Sequence, residues 1–175
     1  GRPSVTETVL AGQWSEEDLL RWSASIEQGS EHPLAEAIMN AAKDRRISLF
    51  DAEDFTAIAG RGVAAVIEKQ QILLGNRQLM QERDIDISSV AEAATALTHK
   101  AQTPVFVAVA GKVAGVISIA DAIKDDSKAA IQRLHEMGLK VVLLTGDNEA
   151  TATAVARQVG IDQVVAEVLP EDKAA

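Results

Sequence analysis

The chain has 175 residues, no cysteine and a formal net charge of −9, from 17 Lys and Arg against 26 Asp and Glu. This length allows one domain or two small ones. The lack of cysteine excludes disulfides, thiolate metal sites and a cysteine nucleophile, which fits a cytosolic chain. The charge argues against non-specific binding to nucleic acid or to an anionic membrane. No apolar run approaches the roughly 20 residues that span a bilayer, and Gly1-Arg2-Pro3-Ser4 is not a signal-peptide core.

The first part of the chain predicts a strand and two helices. Residues 1–10 alternate like a half-exposed strand. Ser15 should cap a helix, because acidic residues follow it, and Gly29 should end that helix. Pro33 suits the first position of a second helix. Its apolar stripe should be buried and consists of Leu34, Ala37, Ile38, Ala41 and Ala42.

The middle of the chain predicts a strand at residues 55–59, two hairpins and two helices. The hairpins have strands at 63–68 and 72–74, and at 105–110 and 113–119, with turns at Lys69-Gln70 and Gly111-Lys112. Strands joined by such tight turns are antiparallel. A short helix should follow Asn76, and Ser88 or Ser89 should cap an Ala-rich helix that reaches about Lys100.

After Asp121 the pattern alternates between helix and strand. A helix should begin at residues 125–127, with a core stripe formed by Ala130, Ile131, Leu134 and Met137. The four consecutive apolar residues that start at Val141 predict a strand buried on both faces, as in parallel sheets. A helix at 149–158 and a strand at Val164-Val165 follow. The chain therefore divides into an α+β middle and an α/β tail, joined by a short hinge.

The strand that starts at Val141 leads into Thr145-Gly146-Asp147-Asn148. Ligands of parallel sheets bind at the carboxyl ends of the strands, so Thr145 and Asp147 stand where a phosphate or a metal would be met. The alternative is a simple turn. Lys173, after a predicted strand, could supply a fixed cation to a phosphoryl group. The alternative for Lys173 is a surface lysine.

Three further motifs could bind a ligand. His32 lies at a helix N-terminus, where a phosphate or a stacked base is favoured, although it could equally be a capping or packed histidine. The glycines of Gly60-Arg61-Gly62 would let a ligand approach the backbone closely. The alternative there is a plain turn with Arg61 as a solvated charge. Gly75-Asn76 could likewise be only a strand end.

Other polar residues are assigned no chemistry. His99 and His135 lie in exposed helical contexts and are interpreted as surface residues. No cluster of His, Asp and Glu has metal-ligand spacing, so a protein-caged metal is not expected. Residues 84–88 contain an Asp-x-Asp spacing, but no buried strand precedes it, and we interpret this segment as a solvated loop.

In this order the motifs resemble the cytoplasmic ATP-binding and phosphorylation region of heavy-metal-transporting P-type ATPases, over essentially the whole chain. The resemblance rests on Ser30-Glu31-His32-Pro33-Leu34, Gly60-Arg61-Gly62-Val63, Gly75-Asn76 and Thr145-Gly146-Asp147-Asn148. It implies an ATP site whose residues are Glu27, His32, Gly60, Gly62, Val63, Gly75 and Asn76. It also implies that Thr145, Asp147 and Lys173 form one wall of the phosphorylation site.

The resemblance implies a fold as well. It predicts an α+β nucleotide-binding domain, an antiparallel sheet flanked by helices, at residues 9–119. This domain would be inserted in a partial α/β haloacid dehalogenase-like (Rossmann-type) phosphorylation domain at residues 1–8 and 120–175. Asp121 would lie at the hinge.

Two family motifs are missing from the chain. The phosphorylated Asp of the family lies in Asp-Lys-Thr-Gly-Thr, and neither this string nor the magnesium-binding Gly-Asp-Gly-x-Asn-Asp occurs here. The resemblance therefore implies a fragment that binds ATP with an incomplete Mg²⁺ site and does not turn over. The parent would be an integral protein of a bacterial inner or plasma membrane, with membrane and actuator domains as partners of this cytoplasmic part. It would export a heavy metal through an aspartyl-phosphate, with copper(I) favoured and silver close behind.

Two other functions remain open at this point. A phosphatase of the haloacid dehalogenase type, with the middle domain as its cap, would need an Asp nucleophile after a buried strand, and the sequence supplies none. A non-catalytic interaction module would use the glycine motifs as turns and pack His32 in its core.

Overall fold

The computed structural model describes residues 2–121, 125–146 and 149–168. Its elements in chain order are β1 (Pro3–Leu10), α1 (Glu16–Glu27), α2 (Pro33–Asp44), β2 (Glu53–Ile58), β3 (Gly62–Ile67), β4 (Gln70–Gly75), α3 (Arg77–Glu82), α4 (Ser88–His99), β5 (Thr103–Val109), β6 (Lys112–Asp121), α5 (Asp125–Glu136), β7 (Val142–Leu144), α6 (Glu149–Val159) and β8 (Gln163–Val165).

Six strands form an antiparallel sheet in the order β1-β6-β5-β4-β3-β2. Helices α1 and α2 cover one face of this sheet, and α3 and α4 cover the other. Because side chains alternate between the faces of a strand, β5 contributes Val105 and Val107 to the first layer and Phe106 and Ala108 to the second. The predicted antiparallel sheet flanked by helices is confirmed.

The first two helices begin as the sequence predicts. Ser15 caps α1 through a capping box, in which its Oγ accepts from the Asp18 amide at 3.1 Å and Asp18 accepts from the Ser15 amide at 3.1 Å. Pro33 is the first residue of α2. Of the predicted stripe on α2, Ala37, Ile38 and Ala42 are buried, while Leu34 and Ala41 are half-buried.

Both hairpin turns lie one residue earlier than predicted. Their central residues are Glu68-Lys69, with φ of 50° and 62°, and Ala110-Gly111, with φ of 50° and 79°. Positive φ at both central positions is the geometry of a two-residue type I′ turn. The first turn was misplaced because neither of its residues is the Gly or Asn that usually marks such a turn.

The predicted serine cap of α4 is wrong. The residue before the helix is Ile87, which makes no side-chain cap, and Ser88 is already helical. Asp86 instead accepts a hydrogen bond from the Ser88 amide at 2.9 Å. This bond occupies one of the free amides at the helix start, so a carboxylate two residues earlier replaces the expected hydroxyl.

The C-terminal part contains the predicted parallel unit. Strand β7 pairs in parallel with β8, with Leu143 opposite Val164, and α6 connects the two strands. The prediction that β7 is buried on both faces is wrong, because Val142 is 51% exposed and Leu144 is 44% exposed. In the described part of the chain the sheet that contains β7 has two strands, β7 and β8.

The predicted core stripe of α5 is also not buried. Ala130 is exposed, Leu134 is 37% exposed and Met137 is 72% exposed, while Ile131 is half-buried. The apolar spacing correctly predicted the helix, but burial depends on which other elements pack against it. Among the described residues, α6 makes the main helix contact with α5.

Strands β1 and β6 carry the chain into and out of the large sheet. They pair antiparallel from Pro3 opposite Asp121 to Leu10 opposite Gly115. The domain boundaries expected after residues 8 and 119 fall inside these two strands. The division into two domains stays a prediction.

Candidate functional site

A cavity of about 650 Å³ lies at one end of the large sheet, between the start of α2, the β2–β3 turn and the β4–α3 junction. The nucleotide-site residues expected from the sequence all line it, although they come from three separate stretches of the chain. They are Glu27, His32, Gly60, Gly62, Val63, Gly75 and Asn76. The fold therefore brings the N-terminal set of predicted residues together.

His32 occupies the N-cap of α2. Its Nδ1 accepts a hydrogen bond from the Leu34 amide at 3.2 Å, so Nδ1 carries no proton in this arrangement. A neutral ring then has its N–H at Nε2. His32 is exposed at the cavity, not packed in the core. It can cap the helix with one nitrogen and offer the other to a ligand.

Glu27, the last residue of α1, is the buried acid of the cavity. The residue is 8% exposed, and its Oε2 is buried without a hydrogen-bond partner in the described part of the chain. Burial raises the pKa of this carboxyl, against the opposing effects of a hydrogen bond from Ser30 and the nearby His32. Buried polar atoms are normally paired, so this oxygen is suited to a ligand that donates a hydrogen bond.

Asn76 holds the glycine turn in place. The turn closes with a 3.0 Å bond from the Arg61 amide to the Ile58 carbonyl, and Gly60 has a φ of 68° in it. The Asn76 Nδ2 donates to the Gly60 carbonyl at 3.0 Å, while its Oδ1 accepts from the Leu79 amide at 3.0 Å and caps α3. Since both ends of this side chain have partners within the protein, Asn76 shapes the cavity wall.

Gly62 and Gly75 face each other in neighbouring strands of that wall. A Cβ built on Gly62 would lie 2.1 Å from the Leu74 carbonyl oxygen, and one on Gly75 would lie 2.2 Å from the Arg61 carbonyl oxygen. Neither distance is possible for a real side chain. These two glycines allow the close approach of β3 and β4, whereas a Cβ on Gly60 would meet nothing within 4 Å.

Arg61 is not the solvated charge expected from the sequence. It is half-buried, and its Nη2 pairs with Oε1 of Glu82 at 3.1 Å. Its Nε is buried and has no partner among the described residues. No sequence pattern links Arg61 to Glu82, because the two residues are distant in the chain and meet only through the pairing of β3 with β4.

Apolar side chains that the sequence did not predict as site residues form much of the remaining lining. They are Leu34, Ile38, Phe55, Ile58, Leu74, Pro104 and Val105. Phe55 is 45% exposed and lies among these other apolar residues, and a contiguous apolar patch of this kind marks a binding surface. Apolar walls with a few convergent polar groups are typical of sites for small molecules.

Of the residues predicted for the second site, only Thr145 lies in the described part of the chain. Thr145 lies just after β7, where its amide donates to the Val165 carbonyl at 3.0 Å and its carbonyl accepts from the Val168 amide at 3.0 Å. Asp147 and Lys173 lie outside the described residues. The expected wall of Thr145, Asp147 and Lys173 therefore stays a prediction.

His99 and His135 are both exposed, as the sequence predicts. His135 also pairs with Asp162. Its Nε2 lies 2.8 Å from Oδ2 of Asp162, which also accepts from the Val141 amide at 2.8 Å. The backbone bond from Val141 and then the bond with His135 lower the pKa of Asp162. This contact links the strand ends to α5 and is structural.

Two features that a transporter or a metalloprotein can have do not occur in the described residues. No helix in them is long and apolar enough to cross a bilayer. Within the same residues, His, Asp and Glu side chains do not gather in groups of three or more that could hold a metal ion.

Comparison with known proteins shows close relatives over the whole chain. A copper-exporting P-type ATPase of Staphylococcus epidermidis is 46% identical over 99% of this chain. A copper-transporting P-type ATPase of Rhizobium leguminosarum bv. viciae is 43% identical over 100% of it. In both cases the chain spans 21% of the length of the relative.

Solved structures of P-type ATPases are also similar to this chain. A zinc-transporting PIB-type ATPase in its E2.Pi state matches 99% of this chain and 28% of its own chain, with 34% identity and a TM-score of 0.78. These matches confirm the resemblance to heavy-metal P-type ATPases. The model of the haloacid dehalogenase-like hydrolase family matches residues 1–175, and the chain belongs to that family.

Proposed function

We propose that the cavity binds the adenine nucleotide ATP and that the chain is the nucleotide-binding and phosphorylation region of a copper-exporting P-type ATPase. The observation that carries the proposal is the convergence of Glu27, His32 and the glycine turn on one apolar cavity. An interaction module that used these motifs only as turns would not need an exposed His32 or an unpaired, buried Glu27 oxygen.

The chemistry of the cavity suits a purine nucleotide. Its apolar walls can take a flat aromatic ring, and Oε2 of Glu27 can accept from an exocyclic amino group, which adenine has. The exposed ring of His32 can contact the base or the sugar. The Gly60 backbone, free of any Cβ, allows phosphate groups to pass close to the turn.

The relatives support copper as the transported metal. One relative is copper-exporting and another is copper-transporting, which favours copper, although a solved structure with 34% identity is zinc-transporting. We propose that residues 9–119 load ATP for a phosphorylation domain to which residues 1–8 and 120–175 contribute, on the cytoplasmic side of a membrane. The chain contains no Asp-Lys-Thr-Gly-Thr string, so by itself it should bind nucleotide without turnover. Mg²⁺ would accompany the bound ATP.

An NMR titration of the chain with adenosine, ATP and GTP tests the proposal. Adenosine and ATP should shift the amide resonances of His32, Gly60, Gly62 and Gly75, and GTP should shift them less, because guanine has a carbonyl where adenine has its amino group. The amides of Gly138 and Gly160, which do not line the cavity, serve as internal controls. If millimolar adenosine and ATP leave the four cavity amides unmoved, the nucleotide proposal is wrong and an interaction module is favoured.

The family model also admits a second candidate, a phosphatase with residues 9–119 as its cap. We expect no hydrolysis of a generic phosphate ester by the purified chain, since no Asp-x-Asp string follows β7 within it. Measurable turnover that is lost on substitution of Thr145 would favour this candidate over the first.

A further inference from the structure

Arg61 is the only Lys or Arg among the described residues that line the cavity. The chain as a whole carries a charge of −9, so a polyanion that enters the cavity needs a local cation. We propose that Arg61 binds the phosphate groups of the nucleotide. In the absence of nucleotide, Arg61 is paired with Glu82, and the phosphate groups replace Glu82 when the nucleotide binds. This inference rests on the proposed function and adds a phosphate-binding residue and its competitor to it.

The backbone of Arg61 is fixed against the cavity. Its amide donates to the Ile58 carbonyl at 3.0 Å, and its carbonyl accepts from the Asn76 amide at 2.8 Å. The Asn76 side chain also holds the neighbouring Gly60. The side chain of Arg61 therefore starts from a fixed point between two glycines, and the space beside Gly60 is open.

The guanidinium is only partly satisfied. A guanidinium has five N–H donors. Nη2 pairs with Glu82, whereas Nε is buried and lacks a partner among the described residues. A buried donor without a partner favours any rearrangement that supplies one. The phosphate oxygens of a nucleotide match the donor fork of arginine, and they accept two parallel hydrogen bonds.

The pair with Glu82 can be exchanged. The two side chains are 37% and 42% exposed, and ion pairs this exposed contribute little to stability. Glu82 is the last residue of α3, the helix that Asn76 caps. A phosphate group, with more charge than a carboxylate, can therefore take Arg61 from Glu82 without disturbing the helix. Until then Glu82 also repels an incoming anion.

The test compares ATP with adenosine, which lacks the phosphate groups. By isothermal titration calorimetry, Arg61→Gln should weaken ATP binding about tenfold, because a charge-assisted contact is lost, and change adenosine binding by less than about twofold. The loss should shrink as salt increases, since screening weakens the wild-type contact. Glu82→Gln should strengthen ATP binding about twofold or more, because it removes the competitor. Arg83→Gln is the matched control, since Arg83 is exposed and does not line the cavity.

The outcomes separate this inference from the proposed function. Equal losses for ATP and adenosine in Arg61→Gln would show a structural role and overturn the inference, as would no loss for either. Unchanged or weaker ATP binding by Glu82→Gln would overturn the competition. If the wild-type chain binds neither adenosine nor ATP, the proposed function itself fails.

Discussion

Replacing Glu27 by Gln should stabilise the chain and weaken its binding of adenine nucleotide. Glu27 is 8% exposed, and its Oε2 has no partner in the described residues, so burial disfavours the charged form of its carboxyl. Glutamine has the same shape and no charge. Changing a residue that only supports the fold would instead lower both the free energy of unfolding and the affinity for nucleotide.

The magnitude follows from the desolvation of one group. A buried polar group without a partner costs about 1–3 kcal/mol. The side-chain amide in Glu27→Gln would bring an unpaired N–H of its own, so we expect a net gain in the free energy of unfolding near the lower end, about 1 kcal/mol. For a chain of this size a gain of about 1 kcal/mol corresponds to a rise in Tm of about 2–4 °C.

The gain should depend on pH. Burial raises the pKa of Glu27 above its ordinary value of 4.5, so the folded state holds the proton more tightly than the unfolded state. Wild-type stability should therefore fall as pH rises from 4.5 through the raised pKa, and Glu27→Gln should lack this step. The advantage of the variant should be small at pH 4.5 and complete above the raised pKa.

Thermal unfolding followed by circular dichroism at a series of pH values measures this difference. Glu92→Gln, which changes an exposed glutamate of α4, is the control for the loss of one charge. A lower Tm for Glu27→Gln than for the wild type at neutral pH would refute the reasoning, because the hydrogen bond from Ser30 and the nearby His32 would then outweigh the cost of burying the carboxylate. ATP binding that stays at wild-type strength would remove Glu27 from the site.

Two further variants test the cavity wall. His32→Ala removes the N-cap bond to the Leu34 amide, so we expect a loss of about 1 kcal/mol in the free energy of unfolding from a urea melt. The same variant should bind ATP more weakly by calorimetry. His32→Gln should also weaken ATP binding, while the chain still unfolds cooperatively. Gly62→Ala would put a Cβ 2.1 Å from the Leu74 carbonyl oxygen and should cost at least about 2 kcal/mol in the same melt, whereas Gly29→Ala, with open space and an ordinary φ, should cost less than about 0.5 kcal/mol. Equal melts for the two glycine variants would contradict the strand contact.

Local signals in the sequence were enough to locate the helices and most strands. Ser15 and Pro33 mark their helix starts because capping depends on residues within one turn. The type I′ turn at Glu68-Lys69 was placed one residue late, since its residues carry no turn signature and the register depends on the whole pair of strands. Burial was least predictable, as Met137 shows, because it depends on elements distant in the sequence.

Only part of the candidate site could be predicted from the sequence. His32 and Gly60 could be selected from motifs, since helix starts and glycine turns have recognisable spacing. The sequence did not predict that Asn76 would tie the Gly60 turn to α3, or that Arg61 would meet Glu82. Both contacts depend on the pairing of β3 with β4, which places distant residues side by side and leaves no periodic trace in the sequence.

The ladder between β1 and β6 has a mechanical consequence. Its outer end, Pro3 opposite Asp121, is where the two strands leave the sheet together. A load applied there would unzip the ladder one hydrogen bond at a time and would not shear all of them at once. At the register shift between Val5 and Glu7 the Thr6 hydroxyl donates to the buried Ser118 hydroxyl at 2.9 Å, and opening beyond Val5 would also have to break this contact. The outer residues of the ladder would therefore yield before the load reached the core of the large sheet.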